Sequence, residues 1–89
     1  MKKRISISVE LSGESLERRD CSLAQWFHYH EAVQVMPTQW VLLTPLAVDE
    51  IRRELQRYVD PADRLLVTEV ASMSYRNLIT DDKIGKGAA

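Results

Sequence analysis

Apolar residues at Ile5, Ile7, Val9 and Leu11 alternate with Ser6, Ser8 and Glu10, a period of two that predicts a strand with one face in a core. Residues 12–19 are polar and contain Gly13, which predicts a loop. Asp20 then offers an N-cap, and Leu23, Trp26, Phe27 and His30 follow along one stripe of a short helix. Ala32, Gln34 and Met36 alternate with Val33 and Val35 before Pro37, and Trp40, Val41, Leu42 and Leu43 resume a β-rich run. The simplest account is a hairpin that turns within residues 37–39.

Val48, Ile51, Leu55, Tyr58 and Val59 recur at helical spacing, with charged residues between them. Asp49 and Glu50 sit in the first turn and Arg57 near the end, the order that complements the helix dipole, and Asp60 and Pro61 stop the helix. Residues 64–70 predict a last strand lying beside the first, with Leu66, Thr68 and Val70 on one face and Leu65, Val67 and Glu69 on the other. Tyr75, Arg76, Asn77, Leu78 and Ile79 read as a short additional C-terminal strand or as an arm that packs on a neighbouring subunit, and residues 81–89 as a flexible tail.

The order strand, helix, strand, strand, helix, strand is the split βαβ arrangement of an α+β, ferredoxin-like βαββαβ sandwich. One such domain is expected over residues 1–80. At 89 residues a chain of this kind buries roughly 60% of its unfolded surface, so a partner subunit would add stability. An apolar fraction of 45% and a charged fraction of 28% fit an ordinary globular chain. The net charge of −1 excludes a protein that wraps nucleic acid by charge alone.

No apolar run approaches the roughly 20 residues that span a bilayer, and the first residues, MKKRISIS, lack the apolar stretch of a signal peptide. No membrane partner and a cytoplasmic location are expected. The single cysteine, Cys21, has no disulfide partner in the chain and no nearby base to activate it. His28 and His30 frame Tyr29, but residues two apart do not share a helix face, and helix capping or packing beside Trp26 is expected of them. Lys3 and Arg4, with Arg18 and Arg19, are the candidate phosphate contacts. Arg52, Arg53 and Arg57 belong to a solvated helix face.

With these segments in place, the chain resembles the small CRISPR-associated endonuclease-like superfamily, and especially its stand-alone SinR-like relatives. The resembling residues are the acidic end of the first strand in ISISVEL, then DCSLAQWF, AVQVMPTQWVLLT, DEIRRELQRYVD and DRLLVTEV, covering about residues 3–70. The resemblance implies a homodimer in which a C-terminal strand, here Tyr75, Asn77, Leu78 and Ile79, is added to the partner's sheet. It also implies that two first-strand carboxylates, here Glu10 from each subunit, hold one Mg2+ or Mn2+ ion for phosphodiester hydrolysis. Two departures count against transferring that activity. Glu10 stands where the family usually has aspartate, and Thr38 stands where it has serine.

The expectation is therefore a small dimeric interaction or nucleic-acid-associated protein without catalysis, whose further protein partner the residues do not specify. The alternatives are a metal-dependent endonuclease acting on DNA or RNA with Glu10 as its catalytic and metal-binding residue, a toxin-like RNase, and, from the fold only, a ligand-binding regulatory domain.

Overall fold

Ile5, Ile7 and Val9 are buried from one face of strand β1 (Lys3–Glu10), as their alternation predicts. The computed structural model describes residues 2–12 and 22–76. Helix α1 covers residues 22–29, followed by β2 (Val33–Met36), β3 (Gln39–Thr44), α2 (Val48–Leu55) and β4 (Arg64–Glu69). The domain is α+β, with a four-stranded antiparallel sheet in the order β2, β3, β1, β4.

Both helices cover the same face of this sheet. Leu23, Trp26 and Phe27 from α1 and Ile51 and Leu55 from α2 close over Ile5, Ile7, Val9 and Leu42 in one core cluster. Leu65 and Val67 pack against it from β4, whereas Leu66, between them in sequence, points to the other face and is 62% exposed. The two-residue turn at Pro37 and Thr38 falls inside the predicted hairpin, and the pairing slips once between Gln34 and Met36.

The second helix stops earlier than its apolar spacing suggests. After Leu55 the chain tightens into a 3-10 turn (Gln56–Tyr58), and Val59 is already extended. The opposite end is held by half of a capping box: Glu50 Oε1 accepts the N–H of Ala47 at 3.1 Å, while Ala47 has no side-chain acceptor to return the bond. Thr44, buried at the end of β3, accepts the N–H of Leu46 on its hydroxyl at 3.2 Å and turns the chain into α2.

Helix α1 ends in a double-bonded C-terminal turn. The N–H of Ala32 reaches the carbonyl of Phe27 at 2.8 Å and the N–H of Glu31 that of His28 at 3.1 Å. This geometry needs a left-handed residue and favours glycine there, yet the position is Glu31, with φ of 57°. Glu31→Gly is accordingly expected to raise the unfolding free energy by about 1 kcal/mol. Urea denaturation of the two proteins checks it, and an unchanged or lower midpoint would refute the strain.

The sheet's other face is dressed unevenly. After β4 the N–H of Val70 extends the ladder to the carbonyl of Arg4 at 2.8 Å. Met73 and Val33 then pack on Val35 and Val41 in a second, smaller apolar cluster. Tyr75 and Arg76, expected to begin an additional strand, are not in one. Asn77, Leu78 and Ile79 lie outside the described residues, as do Arg18, Arg19, Asp20, Cys21, most of the predicted loop at 12–19 and the predicted tail at 81–89. No helix among the described residues is long and apolar enough to cross a membrane.

Candidate functional site

Glu10 closes β1 on the face opposite the helices, because it continues the alternation Arg4, Ser6, Ser8. Antiparallel pairing sets Arg64, the first residue of β4, directly across from it. Arg64 Nη1 donates to Glu10 Oε1 at 2.8 Å, with the two side chains 82% and 64% exposed. An ion pair this open to water contributes at most about 1 kcal/mol. Its greater effect is to give the carboxylate a standing partner.

Three loops meet at this end of the sheet. The N–H of Val9 donates to the carbonyl of Thr38 at 2.9 Å, so the hairpin turn is fixed beside the exit of β1 by its backbone. Gln39 Nε2 donates to Ser8 Oγ at 3.0 Å across β1 and β3. Asp63 ties the third loop: its Oδ2 accepts the N–H of Asp60 and its Oδ1 the N–H of Ser12, each at 2.7 Å. Residues 60–63, which begin with the helix stop at Asp60 and Pro61, are therefore also the link between the start of β4 and the end of β1.

Behind Glu10, on the helix side, lies a cavity of about 570 Å³. Phe27 and Trp40, stacked at 4.3 Å and 11° between planes, contribute to its walls with Val9 and Leu23, and Glu10, His28 and Thr38 supply polar groups. Among the described residues no group of three or more His, Cys, Asp or Glu side chains is placed to hold a metal ion.

The other predicted site residues are spread out. Lys3 and Arg4 open β1 at the far end from Glu10, half-buried and paired in register with Thr44 and Leu43. Tyr75 is exposed beyond β4. His28 is exposed, whereas His30 lies against Trp26, with ring centroids 4.0 Å apart. Sequence reasoning missed Arg64 and Asp63. The strand register carries the signal for Arg64, since pairing the first and last strands antiparallel sets the end of one against the start of the other. Compared with known proteins, the chain matches no family model, no curated protein and no solved structure.

Proposed function

We propose that this chain is a ferredoxin-like βαββαβ domain working as a homodimeric interaction module, associated with nucleic acid and without catalysis of its own. The observation that carries this reading is the half-covered sheet face. Val35 and Val41 are only 5% and 6% exposed beneath Met73, while Leu43 and Leu66 on that same face are 45% and 62% exposed. Apolar side chains beside the serines and threonine of an open sheet fit a partner that finishes the covering, and a second copy related by a two-fold axis presents the same patch in return.

Sedimentation equilibrium tests the dimer. The parent is expected to be dimeric and the Leu43→Glu, Leu66→Glu double variant monomeric, with the fold intact because both side chains are exposed. A monomeric parent at every concentration would remove the proposal. Nucleic-acid association draws on Lys3 and Arg4, together with Arg18 and Arg19.

One observation favours the endonuclease alternative. Glu10 lies on the open face, so a two-fold axis passing close to the end of β1 would set it near its copy, where two carboxylates and phosphate oxygens suit a hard Mg2+ or Mn2+ ion. The Arg64 guanidinium on Oε1 supports the non-catalytic reading, since a cation at that oxygen has to displace it. Purified protein is expected to leave labelled DNA and RNA intact with Mg2+, Mn2+ or EDTA. Metal-dependent cutting that disappears in Glu10→Ala would reverse the choice.

A further inference from the structure

Away from Glu10, the two helices leave a groove of about 360 Å³ whose lining includes Gln25, Trp26, Tyr29, His30, Glu54 and Tyr58. Its composition follows from helix spacing. Trp26 and His30, joined by an α-type backbone bond, sit one turn apart on one side of the groove, while Glu54 from α2 and Tyr58 from the 3-10 turn after it line the other.

A carboxylate sits among the rings. Trp26 Nε1 donates to Glu54 Oε1 at 2.9 Å, and His30 Nε2 lies 3.8 Å from the same oxygen. The Trp26 and His30 rings are 4.0 Å apart and tilted by 33°, and Tyr29 stands edge-on to His30 at 5.0 Å. Among the described residues, Glu54 makes no pair with a lysine or arginine. Neighbouring Arg52 is instead engaged by Gln56 at 2.8 Å. The Glu54 side chain keeps 42% of its surface open, fixed on one oxygen by the indole and available to a ligand.

These features select among ligands. A divalent metal ion needs several oxygen donors, and the groove supplies one carboxylate. A neutral apolar ligand would desolvate that charge without pairing it. An alkylated ammonium ion satisfies both parts: its charge meets the carboxylate, its methyl groups lose water at little cost, and ring faces attract the cation.

We propose that this groove is a binding site for an alkylated ammonium head group, with Tyr29, His30 and Tyr58 as its aromatic walls and Glu54 as its counter-ion. Trp26 is the positioning residue, because its N–H holds the carboxylate in place.

The probes are choline, as the free small molecule, and trimethyllysine flanked by glycines, as the side-chain form. The readout is the pair of indole N–H resonances of Trp26 and Trp40 in a nitrogen–proton correlation spectrum. Saturable movement of the Trp26 resonance, with Trp40 unmoved, is expected, and the tighter of the two probes identifies the source of the head group. The uncharged isostere 3,3-dimethylbutan-1-ol should give no saturation.

Glu54→Gln keeps an oxygen for the indole N–H and removes the charge, so affinity should fall at least tenfold. Tyr29→Ala, at a side chain 82% exposed, should weaken binding several-fold in a protein that remains folded. No saturable shift with either cation, equal binding of the isostere, or full affinity in Glu54→Gln would each overturn the proposal.

Discussion

Ile7→Ala is expected to lower the unfolding free energy by about 2–5 kcal/mol, a large part of the roughly 5–15 kcal/mol that holds a domain together. Ile7 is completely buried on the central pair of strands, opposite Trp40 on one side and Val67 on the other. Strands on both flanks and helices above limit how far the structure can close around the lost methyl groups. The cavity therefore persists, and its cost adds to the lost transfer energy. Ile7→Val removes one methylene and should cost about 0.5–1.5 kcal/mol. Urea denaturation followed by circular dichroism measures both. A midpoint shift with an unchanged slope would place the effect in the native state, and an alanine variant as stable as the parent would refute the packing described.

Phe27→Ala should be of similar size, about 3–5 kcal/mol, for a different reason. Its ring lies nearly parallel to Trp40 at 4.3 Å and edge-on to Trp26 at 5.6 Å, so it couples α1 to the hairpin as well as filling space. A double-mutant cycle with Trp40→Ala separates the stack from burial and should return a coupling of about 0.5–1.5 kcal/mol. Strictly additive losses would show that the two rings do no more than fill volume.

Much of the architecture can be read from periodicity alone. Ile5, Ile7 and Val9 have one buried face available, and Ile51 and Leu55 one helical stripe, so their orientation follows from spacing. The fourth strand is less legible: Leu65, Leu66 and Val67 are equally apolar, and only pairing with β1 decides that Leu66 faces outward. Glu31 is invisible in another way, because the left-handed turn it occupies is normally announced by glycine.

The candidate site was legible in one half. Glu10 is recognisable as an acidic residue ending a strand, but Arg64 is 54 residues away in the chain, and no local pattern joins them. Met73 carries no local signal either, because its partners, Val35 and Val41, stand on β2 and β3, towards the sheet edge opposite β4. Contacts that depend on register or on a chain crossing a sheet have no local periodicity, and these are the ones that had to be seen.

Pairing the first strand with the last also bears on how the chain is made. As it emerges during synthesis, β1 can pair with β3, but its other edge has no neighbour until residues 64–69 follow. At about 5–20 residues per second that gap lasts on the order of several seconds, with a run of isoleucine and valine next to an unpaired backbone edge. Ribosomal pauses placed before β4 should therefore increase aggregation of the nascent chain, whereas pauses after it should not.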